Sequence, residues 1–66
     1  MTHEQAHEAM TKGHTVRNIG FIEDEYLYML GGVIRDEAGY NMGRAGGEFW
    51  NRRMRDLAPD GWVVCK

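Results

Sequence analysis

Serine is absent from this 66-residue chain, cysteine and proline occur once each, and no uninterrupted apolar run exceeds the five residues Tyr-Leu-Tyr-Met-Leu at 26–30. Each absence removes a class. Without serine, and with threonine only at positions 2, 11 and 15, no hydroxyl stands in a His/Asp context that would activate it as a nucleophile. A lone Cys65 forms no bridge within one chain and suits a packing role or a loose thiol better than a structural bridge. The short apolar run is too brief for a membrane span or a secretory signal, so the expected setting is a soluble cytoplasmic protein with no membrane partner. A net charge of −2 gives no general attraction to a nucleic-acid polymer.

The chain has room for one small domain, residues 1–66. A domain of about 60 residues buries only about 60% of its unfolded surface, so a lone protomer is marginal. Disulfides are excluded, which leaves a metal or self-association. Self-association is the better expectation. Glu23, Asp24, Glu25, Asp36 and Glu37 crowd the middle of the chain, and Arg44, Arg52, Arg53 and Arg55 crowd a later stretch. One acidic and one basic patch let copies pair, and the basic side suits a small anion.

The pattern predicts an α+β fold in which one short N-terminal helix packs on a three- to four-stranded antiparallel sheet. Thr2 with Gln5 has capping-box spacing, Ala6, Ala9 and Met10 form a narrow apolar stripe, and Gly13 stops a helix over 3–12. Strands follow at 14–19, 26–30, 33–36 and 62–65, with Gly31-Gly32 as a two-residue hairpin turn. Residues 37–47 hold four glycines and read as an irregular excursion pinned by Tyr40 and Met42. Residues 48–54 read as a single helical turn. In 26–30 the side chains alternate, Tyr26, Tyr28 and Leu30 against Leu27 and Met29. Both sets are apolar and one helix covers only one face, so the other face is expected to meet a second subunit.

Two constellations suggest chemistry. His-Glu-x-x-His at 3–7 matches the zinc-peptidase helix, but a catalytic zinc needs a third protein ligand that the rest of the chain does not offer. No catalytic set and no metal or cofactor is expected, and the protein is not expected to be an enzyme. The second constellation, 48–56, sets Phe49 and Trp50 beside Arg52, Arg53 and Arg55. Aromatic faces stack bases and guanidinium forks clamp phosphates. The same mix builds protein hot spots.

The order of these pieces resembles a family of very small phage proteins, the second type of Thoeris anti-defence protein. The resemblance runs over most of the chain. Residues 4–16, Glu-Gln-Ala-His-Glu-Ala-Met-Thr-Lys-Gly-His-Thr-Val, are similar to the family's Glu-Ala-Leu-rich helix ending at Lys-Gly before a strand. Arg17 to Phe21 resembles its Arg-x-Gly-Trp, with phenylalanine for the tryptophan. Tyr26-Leu27 looks like its Tyr-Leu strand. Trp50, Asp56 and Trp62 match its closing Trp, Asp and Trp. This chain is shorter than typical members, and 39–47 stands where they carry a longer central segment. The resemblance implies a non-enzymatic sponge: a homo-oligomer, a tetramer by family pattern, that sequesters a cyclic ADP-ribose-type signal in the infected bacterial cell. Phe21 would then stack a base, Arg53 or Arg55 would meet phosphates and Asp56 would accept from ribose or adenine, with Tyr26 completing the ligand-binding set. The alternative is a phage inhibitor that binds a host defence protein directly, through Tyr26, Tyr28, Trp50 and the arginines.

Overall fold

The computed structural model describes residues 1–44 and 47–65, except for the side chain of Phe49. The element order is α1 (His3–Thr11), β1 (Val16–Asn18), β2 (Leu27–Leu30), β3 (Val33–Asp36), α2 (Glu48–Met54) and β4 (Trp62–Val64). The four strands form one antiparallel sheet in the order β3-β2-β1-β4. The expected α+β architecture is therefore present with all four strands, and it gains a second helix of seven residues where a single turn was expected.

Local chemistry accounts for the elements. The Thr2 hydroxyl accepts from the Gln5 N–H at 3.2 Å and the Gln5 side chain accepts from the Thr2 N–H at 2.9 Å, a complete capping box. At the other end Gly13 takes φ +93°, its N–H reaches Met10 O and the His14 N–H reaches Ala9 O. That is a Schellman close, which only a residue at ease with positive φ permits. Gly31 and Gly32 both have positive φ, as a hairpin turn matched to the twist of β2 and β3 requires.

The glycine-rich excursion is more ordered than its composition suggests. The Asp36 carboxylate accepts from the N–H groups of Ala38 and Tyr40, turning the chain back. Met42 donates to Ile34 O and Ile34 donates to Gly43 O, so 41–43 run along the outer edge of β3. Met42 packs on the core while Tyr40 points to solvent, so only one of the two expected pins holds. Residues 45 and 46 of that stretch lie outside the described residues.

Trp62 is the hub of the core and is 1% exposed. Its ring meets Phe21 edge-on at 5.4 Å and stacks with Trp50 at 6.2 Å. Its indole N–H donates to His3 Nδ1 at 2.7 Å. This contact gives the first histidine of the His-Glu-x-x-His run a structural task, since its ring nitrogen accepts from the indole at the centre of the core. Among the described residues no three His, Cys, Asp or Glu side chains converge as a metal site. A His3→Ala change leaves the Trp62 N–H buried without an acceptor, a loss of about 1–3 kcal/mol that chemical denaturation will register. Added zinc is expected to leave the same transition unmoved.

One buried polar group closes the structure. Asn18 is fully buried; its amide donates to Ala58 O at 3.0 Å and its oxygen accepts from the Gly20 N–H at 2.9 Å. It ties the turn after β1 to the loop before β4. Each of its partners is a backbone group, so burial leaves no polar atom unmatched.

Candidate functional site

The pairing register sorts the sheet into two faces. Val16, Asn18, Leu27, Met29, Ile34 and Trp62 face the helices, and all but the half-buried Met29 are buried. The opposite face carries Arg17 of β1 with Thr15 just before that strand, Tyr28 of β2 with Tyr26 just before it, Arg35 on β3, and Val63 of β4 with Cys65 just after it. Among the described residues no helix covers it within the protomer. Its register sets Arg35 directly across from Tyr28 and Val63 across from Arg17.

The residues singled out from the sequence separate in space. Phe21 is 7% exposed and Trp50 8%. Both lie on Trp62, and the Arg53 guanidinium sits 5.5 Å from the Phe21 ring centre, so neither ring offers a free face to a base. The physical reason is the shortage of core in so short a chain: the large rings are its main source of burial. Arg53 is half-buried and donates to the Glu25 carboxylate, so its charge is already matched. Arg55 and Asp56 are exposed at the end of α2. Phe49's side chain lies outside the described residues. Tyr26 alone of the set stands on the open sheet face, beside Tyr28 with ring centres 6.3 Å apart.

Around these two tyrosines is an open crevice of about 490 Å³ lined by Thr15, Arg17, Glu23, Asp24, Glu25, Tyr26, Tyr28 and Cys65. The loop before β2 forms one wall. It is held by Arg17, whose guanidinium donates to Glu23 O at 2.9 Å and Ile22 O at 3.4 Å. The Glu23 and Asp24 side chains are exposed on the rim. A second groove, of about 430 Å³, runs along α2 between Glu48, Asn51, Arg52 and Arg55.

The crevice joins flat rings, an alcohol, a thiol and carboxylates. Rings stack planar groups, and carboxylates accept from hydroxyl and amino donors. Volumes of about 300–1,000 Å³ are usual for small-molecule sites. Of its lining residues only Tyr26 was in the expected ligand-binding set; Thr15, Arg17 and Cys65 were not singled out for a site, and Glu23, Asp24 and Glu25 were read only as an acidic patch. The available signal was the period-two alternation that puts Thr15, Arg17 and Cys65 on the same face as Tyr26 and Tyr28, but strand order is needed to bring β1 and β4 alongside β2.

The fold and crevice define a class, a small α+β domain with one sheet face covered by helices and the other open. No family model, no curated protein and no solved structure matches this chain.

Proposed function

We propose that this chain binds a cyclic nucleotide signal of the cyclic ADP-ribose type and holds it uncleaved, as an anti-defence sponge assembled from its own copies in an infected bacterial cell. The observation that carries the reading is the tyrosine pair on the uncovered sheet face. The rings lie beside a crevice of nucleotide size, with exposed carboxylates at its rim. An adenine ring stacks on Tyr26 or Tyr28, while Glu23 and Asp24 accept from ribose hydroxyls. The likeness in residue order to the anti-defence family adds the identity of the signal and the role of sequestration. The stacking that the sequence suggested for Phe21 and Trp50 passes to Tyr26 and Tyr28 in this reading. Arg55 and Asp56, just after α2, are not among the residues that line the crevice.

A second reading has its own support. Ile19 and Ile22 are 73% and 72% exposed on the loop after β1. Large exposed aliphatics of this kind suit a protein partner, and direct inhibition of a host defence protein remains the alternative.

Thermal melting against cyclic ADP-ribose isomers, linear ADP-ribose, NAD, and cyclic di- and trinucleotides separates the two. A ligand bound only by the folded state adds about 2.7 kcal/mol at a hundredfold excess over its Kd. In a domain of this size that raises the midpoint by roughly ten degrees or more. The expected result is such a shift with one cyclic nucleotide, none with linear ADP-ribose, and recovery of the intact ligand after denaturation. Silence across the panel favours the protein target, and recovery of a cleaved product contradicts the sponge.

A further inference from the structure

On that reading the phosphates of the nucleotide need a cation, and the arginines differ in how far the fold satisfies them. Arg52 is paired with Glu48 and Arg53 with Glu25. Arg17, in the crevice lining, turns both terminal nitrogens to the carbonyls of Glu23 and Ile22 and so shapes the loop wall. Arg35 is different. It is half-buried within β3 and makes no ion pair among the described residues. Its Nη1 donates to Gly39 O at 2.9 Å. Its Nε is buried and has no acceptor. Buried polar groups in folded proteins nearly always find a partner, so this exception calls for a reason.

The surroundings of Arg35 supply donors. Tyr28 lies across from it on β2 and Asn41 across from it on the other side. Directly opposed residues share a face, with Cβ atoms about 4.5–5.5 Å apart, so Asn41, Arg35 and Tyr28 make one row on the open face. Asn41 uses its side-chain oxygen to accept from the Gly43 N–H at 2.8 Å, which leaves its amide NH2 available as a donor. The bond to Gly39 draws the Arg35 side chain along β3 toward the turn at 37–39, the end of the sheet at which Tyr26 stands. Of the two acids that follow, Asp36 is taken up by the N–H groups of Ala38 and Tyr40, and Glu37 is exposed and makes no ion pair with Arg35. The tyrosine pair therefore stands between unlike flanks, the acidic crevice rim on the β1 side and Arg35 on the β3 side.

We propose that Arg35 is the phosphate-binding residue of the open face, holding two oxygens of the ligand's phosphate on Nε and Nη2 while Tyr26 or Tyr28 carries the base. Those two N–H groups point the same way and form the fork that meets a phosphate through parallel bonds. The Nη1 bond to Gly39 O fixes the plane of the fork in advance, so less side-chain freedom is lost on binding. Nε is the one guanidinium nitrogen of Arg35 that is buried without an acceptor, so Nη2 stays open to an arriving phosphate, whose second oxygen gives Nε the acceptor that the fold withholds. The unlike flanks then orient the ligand, hydroxyls toward Glu23 and Asp24 and phosphate toward Arg35.

The first test uses the wild type alone. Its Arg35 Nε–H resonance, assigned through the side chain from the backbone, is followed by NMR as sodium pyrophosphate replaces sodium chloride at constant ionic strength. The expected result is a saturable shift at Arg35 that exceeds those of the other arginines. No shift, or an equal drift of every arginine, overturns the proposal, and this arm decides the matter even where a variant folds poorly. The second test is calorimetry of the wild type, Arg35→Lys and Arg35→Gln with the cyclic ADP-ribose isomers, with ligand-free melts as the folding control. Lysine keeps the charge and lacks the fork, so it is expected to bind about tenfold or more weakly, and glutamine more weakly still. A folded lysine variant of wild-type affinity overturns the proposal. A pyrophosphate shift at Arg35 in a wild type that binds no nucleotide upholds the anion site and removes the nucleotide. A nucleotide bound equally by all three proteins removes Arg35 and leaves the nucleotide.

Discussion

Trp62→Ala is expected to abolish the cooperative unfolding transition at 25 °C. Trp62 is 1% exposed and is the one residue on which Phe21, Trp50 and His3 all converge. Truncating a buried tryptophan to alanine removes about 3–5 kcal/mol. A domain of this length has in total about 0.05–0.15 kcal/mol per residue, or about 3–10 kcal/mol. The loss is thus a large share or all of the stability. Its partners compound the effect, because Phe21 and Trp50 lose the surface that buries them and His3 loses its donor. Circular dichroism during urea titration measures it. Trp62→Phe keeps a ring and forfeits the hydrogen bond, so it should fall between wild type and alanine. Trp50→Ala follows the same logic, and loss of function in that variant reports loss of fold. An unchanged midpoint in Trp62→Ala contradicts the assignment of Trp62 as hub.

Joint replacement of Tyr26 and Tyr28 by alanine is expected to do the opposite, leaving the fold and removing the ligand. Both rings are only half-buried and lie on the face away from the Trp62 core. Their packing contribution is therefore small beside that of the buried rings. Stacking of a base on an aromatic side chain contributes about 1–3 kcal/mol. That corresponds to a loss of roughly tenfold to more than a hundredfold in affinity. Calorimetry with the cyclic nucleotide that shifts the melt reads the affinity, and the melt without ligand reads the fold. Tyr→Phe at both positions keeps the stacking surfaces and is expected to retain most of the binding. Equal losses in the phenylalanine and alanine variants would mean that the hydroxyls, and not the ring faces, hold the ligand.

Much of the fold could be read from the chain because its signals are local. The capping box at Thr2, the glycine stops at 13 and 31–32, and the alternation in 26–30 act over a few residues, and each reappears where the spacing put it. The second helix was less legible: seven residues without a side-chain cap at Gly47 carry little periodic signal, and burial of Trp50 on Trp62 supplies the reason to fold. The segment 41–43 was missed because its partner, Ile34, is recognised only once β3 has an open edge.

The candidate site was legible in residue type and less so in place. Aromatics and arginines adjacent in sequence at 49–55 look like a pocket. Folding turns Trp50 inward and commits Arg53 to Glu25, a residue 28 positions away. Which aromatic is core and which is surface is a tertiary property, settled here by the stack on Trp62. Tyr26 and Tyr28, at the start of β2, were named early as one face of a strand. Their neighbours Arg17, Thr15 and Cys65 needed the strand order β2-β1-β4 to join them.

The central claim, that a cyclic nucleotide lies on the open sheet face, is tested most directly by an amide NMR titration of the isotope-labelled protein with the cyclic ADP-ribose isomer selected by melting. The account predicts the largest shifts at 15–17, 23–28 and 63–65. Shifts centred instead on the α1 face, with residues 15–28 silent at saturating ligand, would contradict it.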